Sequence, residues 1–229
     1  MNCLEEYLKI FEHYPLNDKR LKTERNITLH NWRVNKNDYP QLKYEVGRFI
    51  KENGNIINCV FIKRAVCPLI KDCLNNNEYD FINELIQTIG ADEAQKISTE
   101  DIINIYCEYI HWEKSSIQIV DEILLHSHSK LLLEIKFNLM QKQIYYSIHE
   151  LPIGILLEDI GILTRKSYIQ YFSEFEETAK KLNKKTDIDK IRVLYDAYFD
   201  YLNNKKECAS FEEYLNKNNI DYKFLFYYE

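Results

Sequence analysis

Apolar positions recur along this chain at steps of three and four residues, the spacing that lines one face of an α-helix. The pattern is densest from Leu131 to Gly161, LLLEIKFNLMQKQIYYSIHELPIGILLEDIG. There Leu131, Leu132, Ile135, Leu139, Met140, Ile144, Tyr145 and Ile148 predict a helix with a wide buried stripe. Glu134, Asn138, Gln141 and Lys142 interrupt it too often for a membrane span, which needs about 20 mostly apolar residues. Pro152 cannot donate a backbone hydrogen bond, so this helix should stop near His149. A short, nearly enclosed second helix should then run from Ile153 to Ile160 and close at Gly161. The whole stretch reads as the core of the molecule.

The same spacing organises the rest. Asn2 with Glu5 opens a helix striped by Leu4, Tyr7, Leu8 and Phe11 and ended by Pro15. Residues 15–37 read as the longest loop, with a weak alternation at Ile27, Leu29 and Trp32 that admits a short strand. Asp38, followed by Gln41, is the expected cap of a helix to about Asn53, closed by Gly54. In the apolar segment Asn55–Leu74, Pro68 should split the helix after Cys67. Asn77 should cap a helix ending at Gly90, and a short turn is expected over Asp92–Ile97. Ser98 (with Asp101), Ser115, Thr164, Asp187 and Ser210 (with Glu213) are the remaining predicted caps. The tail differs: Tyr222, Phe224, Phe226 and Tyr228 alternate at strand period, as a buried terminal element or as an aromatic patch for a partner.

These elements predict an all-α fold, an irregular multi-helix bundle or a stack of helical hairpins, with room for a minor short strand near the termini. The caps are unevenly spaced, which disfavours a regular solenoid. Only five Gly and four Pro occur in 229 residues, so turns are sparse and elements long. The expected organisation is one helical domain over 1–229, with a soft division near 90–98.

Composition narrows the setting. Six cysteines at 3, 59, 67, 73, 107 and 208 form no C-x-x-C pair and sit in apolar helical contexts, which predicts reduced, buried thiols. The start, MNCLEEYLKIF, lacks the basic and apolar regions of a signal peptide, so the expected residence is cytoplasmic, with no membrane. The net charge of −6 is unevenly spread. Between Lys19 and Lys43 seven bases face two acids; between Asp92 and Glu122 eight acids face two lysines.

The chemistry is sparse. No two glycines come close enough for a phosphate-cradling loop, and neither G-x-S-x-G nor H-E-x-x-H is present. Glu108-x-x-His111 and Glu122-x-x-x-His126 each place a carboxylate and an imidazole on one helical face, and with His128 and His149 they could contribute to a metal site. A di-iron bundle needs a second Glu-x-x-His unit, however, and none occurs.

Three functional expectations result. The first is a non-enzymatic cytosolic protein that binds another protein, a basic one by charge complementarity, as an inhibitor or immunity-type antidote does. Its contacts would be Glu100, Asp101, Glu108, Glu113, Asp121 and Glu122, with Tyr222, Phe224, Phe226 and Tyr228 of the tail. It requires no cofactor and no catalytic residue. The second is a helical metal-dependent enzyme using Glu108, His111, Glu122 and His126. The third is a nucleic-acid-associated regulator using the basic segment 19–43, with Arg20, Arg25, Trp32 and Arg33 as contacts.

Overall fold

Among the described residues the backbone hydrogen bonds run within helices, caps and turns. The computed structural model describes residues 3–53, 56–90, 97–204 and 207–223 and holds no strand among them. The fold is all-α. No helix of the described residues is long and apolar enough to cross a membrane. The chain forms two compact units, Met1–Leu131 and Leu132–Glu229. Most of 90–98, where the sequence admits a soft division, lies outside the described residues, as do all but Ile97 of the turn expected over Asp92–Ile97 and the tail from 224.

The first unit contains α1 (Cys3–His13), α2 (Lys19–His30), α3 (Tyr39–Asn53), α4 (Cys59–Phe61), α5 (Cys67–Asn76), α6 (Asp80–Gly90), α7 (Thr99–Tyr109) and α8 (Ser116–Leu124). Helix α1 packs on α2, α3 on α6, and α7 on α8. Between α4 and α5 the chain makes a wider π turn, Ile62–Val66, whose closing bond runs from the Cys67 N–H to the Ile62 carbonyl. Pro68, in the first turn of α5, explains it. Proline has no N–H for the Arg64 carbonyl, so an uninterrupted α ladder cannot pass this point. The expected split at Pro68 thus takes the form of a π turn, which packs against both α2 and α7.

Three expectations for this unit are overturned. Residues 19–30 form a helix, neither loop nor strand: Asp18 caps it by accepting the Arg20 N–H at 2.8 Å, and only Leu21 and Leu29 are buried, too thin a stripe to register as a period. The Asp38 cap gives way to Asn35, which opens a short 3₁₀ turn at Lys36–Asp38 before α3. Asn77 ends α5 in the left-handed conformation, φ 57°, in place of starting α6. Asparagine suits both roles, and composition alone cannot separate them. The caps at Ser98 and Ser115 form as expected, each with a reciprocal capping box.

The second unit is built on α9 (Lys130–Ser147), α10 (Arg165–Lys181), α11 (Asp189–Asn203) and α12 (Phe211–Lys217). The predicted stripe on α9 is buried at Leu132, Ile135, Met140 and Ile144, continuing to Ile148. An aromatic layer joins the helices. Phe137 of α9 stacks on Phe175 of α10 at 4.9 Å, and Tyr195 of α11 lies 5.1 Å from Tyr168 and 4.9 Å from Phe172. Thr164 and Ser210 cap α10 and α12, whereas α11 starts after Ile188 without a side-chain cap, not at Asp187. The predicted helix at 153–160 does not form. The Leu156 N–H reaches back to the Ser147 carbonyl at 2.8 Å, only Glu158–Ile160 makes a 3₁₀ turn, and Ile153, expected to be enclosed, is 80% exposed. An eight-residue helix must overcome a nucleation cost that these tertiary bonds avoid.

Candidate functional site

A cleft of about 550 Å³ lies beside the π turn in the first unit. Lys63, Arg64 and Ala65 of the π turn form one wall, and Trp32, Arg33 and Val34, just after α2, form another. Tyr39 and Leu42 of α3 contribute, as do Pro68 and Leu69 of α5 and Glu108, Tyr109 and His111 around the end of α7. The π turn places the consecutive residues Lys63 and Arg64 on this cleft while Ile62, Ala65 and Val66 are buried.

Hydrogen-bond donors dominate its polar groups. Arg33 is held by its own helix end: Nη1 donates to the His30 carbonyl at 3.0 Å and the Trp32 carbonyl at 2.8 Å. Lys63 lies 3.7 Å from the Glu108 carboxylate, and both side chains are about half exposed. A pair that long and wet is worth little, about 0–1 kcal/mol. Arg64 has no ion pair or hydrogen bond among the described residues. The same holds for the hydroxyls of Tyr39 and Tyr109. Burial raises the pKa of both phenols above its ordinary value, helped at Tyr39 by nearby Asp72 and at Tyr109 by Tyr39 and Cys67, while Arg64 works in the opposite sense on Tyr109. Both therefore stay protonated near neutrality and remain donors.

The cleft also borders a backbone outlier. Helix α7 closes with the Trp112 N–H on the Cys107 carbonyl at 2.8 Å and the His111 N–H on the Glu108 carbonyl at 3.1 Å. His111 and Trp112 are both left-handed, φ 55° and 58°. Two consecutive residues with Cβ atoms in this region cost roughly 1–2 kcal/mol each, and such outliers cluster at ligand sites.

The residues named from sequence fall in several places. Glu108, His111, Trp32 and Arg33 line the cleft. The Trp32 ring, 6% exposed, packs edge-on against Phe61 in the core, so it cannot stack on a base. Arg20 pairs with Asp18 at 2.7 Å, and the buried Nε of Arg25 has no partner among the described residues. On the acidic stretch, Asp101 accepts the Ser98 N–H at 2.8 Å and hydroxyl at 2.7 Å, and Glu122 pairs with Lys114 at 2.6 Å. Neither Glu100 nor Asp121 is free of partners. Glu113 is exposed in the α7–α8 connection. His126 stacks on Tyr79 at 4.1 Å, and His149 Nε2 lies 2.9 Å from Glu150. Among the described residues no group of three or more His, Cys, Asp and Glu is placed to hold a metal ion. Tyr222 donates to Glu212 at 3.1 Å; Phe224, Phe226 and Tyr228 lie outside the described residues.

Sequence reading passed over Lys63, Arg64 and Tyr109. The one available signal was a pair of adjacent bases inside an otherwise apolar segment. The thiols largely follow expectation: Cys67, Cys73, Cys107 and Cys208 are buried, whereas Cys59 is exposed on the short α4. No protein family, curated protein or solved structure matches this chain.

Proposed function

We propose that this chain is a non-enzymatic binding protein whose ligand is an anion held in the cleft beside the π turn. The observation that carries the reading is the imbalance of that cleft: Arg33, Lys63, Arg64 and two phenol hydroxyls face a single carboxylate, and Arg64 has no counter-charge among the described residues. Arg64 and the hydroxyls of Tyr39 and Tyr109, donors in a concavity with no acceptor among the described residues, suit a ligand rich in acceptors. Arginine is apt, because its planar fork matches phosphate and carboxylate oxygens. Binding is favoured over nucleophilic catalysis because no cysteine lines the cleft, and Cys67, next in sequence to its residue Pro68, is buried with its pKa pushed up to about 12, which leaves it protonated and unreactive.

The acidic-stretch reading has less to draw on. Asp101 and Glu122 have close partners within the chain, and a carboxylate already engaged must first give up its partner before it serves another protein.

The test is calorimetric titration of the full chain with inorganic pyrophosphate at low and moderate salt. Binding that weakens with salt, and that weakens by about tenfold or more in Arg64→Gln, is expected, since a hydrogen bond to a charged group contributes roughly 1.5–3 kcal/mol. Equal affinity in Arg64→Gln, with unchanged circular dichroism, would refute the reading.

A further inference from the structure

We infer that the anion in this cleft is the phosphate of a larger molecule, a nucleoside 5′-phosphate, either free or at the end of a single strand. The inference rests on the anion-binding reading above and adds the rest of the ligand. Size is the first ground. About 550 Å³ lies within the range that holds a drug-sized molecule, and a lone inorganic anion would leave most of it to water.

Polarity is the second ground. Glu108 faces the same cleft as Arg33, Lys63 and Arg64, and its carboxylate repels a bare anion. Its distance of 3.7 Å from Lys63 exceeds a hydrogen bond, so most of its acceptor capacity is unspent. A ligand that presents oxygens at one end and hydroxyl or amine donors at the other resolves the conflict. The arginines take the phosphate, and Glu108 accepts from the sugar hydroxyls or the base.

The third ground is the character of the remaining wall. Tyr39 and Tyr109, both half buried, line the cleft together with Leu42 and Pro68. A planar base can lie against such rings, whereas a sugar phosphate gains little from them.

The experiment titrates the full chain at low salt with inorganic phosphate, ribose 5-phosphate, adenosine, adenosine 5′-monophosphate, and a short single strand with and without a 5′-phosphate. The nucleotide is expected to bind about tenfold or more tighter than inorganic phosphate, with ribose 5-phosphate between them. Glu108→Ala should narrow that ratio by roughly fivefold or more, by weakening the nucleotide and strengthening phosphate, a change that loss of folding cannot produce. A 5′-phosphorylated strand that outbinds the mononucleotide supports the strand end as source; the reverse order supports the free nucleotide. If phosphate and nucleotide bind alike, or Glu108→Ala leaves the ratio unmoved, this inference falls and the anion reading stands. If adenosine binds as well as its phosphate, or no phosphate compound binds, both fall.

Discussion

Tyrosine hydroxyls are treated differently in the two units. In the second, Tyr171 donates to Gln143 at 2.7 Å, Tyr195 bonds to the fully buried Ser147, and Tyr168 reaches the Arg192 carbonyl at 3.4 Å. In the cleft of the first, Tyr39 and Tyr109 have no hydrogen-bond partner among the described residues. All five have raised pKa values through burial, so the difference lies in whether the O–H is used inside the protein. A satisfied phenol fixes helix packing. An unused one on a concave wall is available to something else.

The contrast can be broken most forcefully in the aromatic layer. Phe172, fully buried between Tyr168 and Tyr195, should cost about 3–5 kcal/mol on replacement by Ala. Urea titration measures it, and a loss under about 1 kcal/mol would mean that the layer is not the structural centre of its unit.

Alkaline pH offers the next test. The Cys67 thiol is raised from 9.0 to about 12, and Tyr7 and Tyr168 are raised from 10.0 to about 12. In each case the native state holds a proton that the unfolded chain releases first, so the native state binds more protons and stability falls as pH rises. For Cys67 the contribution is complete below pH 9 and lost between 9 and about 12; for the phenols the loss starts near 10. The urea midpoint should fall steeply from pH 8 to pH 11, and Cys67→Ala should shrink the part that begins near 9, the remainder of which belongs to Cys73 and Cys107, whose thiols burial also raises. An unchanged pH profile in that variant would contradict the assignment to Cys67.

Ion pairing comes next. Lys43, with 13% of its side chain exposed, lies 2.9 Å from Asp72 and 2.7 Å from Glu78, linking α3 to the end of α5. Lys43→Met should cost about 1–3 kcal/mol, less than a fully buried pair because Glu78 is well exposed. Thermal melts at neutral pH give the value, and no change would show that the two carboxylates tolerate losing their cation.

The smallest effects bear on the comparison most directly. Tyr171→Phe leaves Gln143 without its donor and should cost about 1 kcal/mol, whereas Tyr39→Phe and Tyr109→Phe should stay within roughly 0.5 kcal/mol. Should all three cost the same, the cleft phenols have partners after all and the contrast disappears.

Much of the secondary structure was legible because its causes are local. Ser98 and Ser115 cap their helices through side chains that reach only three residues along the chain, and Thr164 does the same. Pro68 interrupts its helix for a reason contained in its own ring. Helix α2 was not legible, since two buried leucines among charged residues carry almost no period. Nor was the end of the central run, where Ser147 bonds to Tyr195 and the chain beyond Pro152 folds back on it. Of the cleft, Glu108, His111, Trp32 and Arg33 stood out in the sequence, but for separate purposes. Nothing in their spacing joined them to one another or to Lys63 and Arg64.

On its own, the order of residues determined the helical class, the apolar stripes, and the caps and breaks whose chemistry spans a few positions, because these depend on contacts within one or two turns. Packing alone decided the aromatic layer, the π turn's place against α2 and α7, and which cations would keep or lack a counter-charge. Those outcomes depend on groups distant in sequence arriving at one point, and a linear pattern carries no term for that distance.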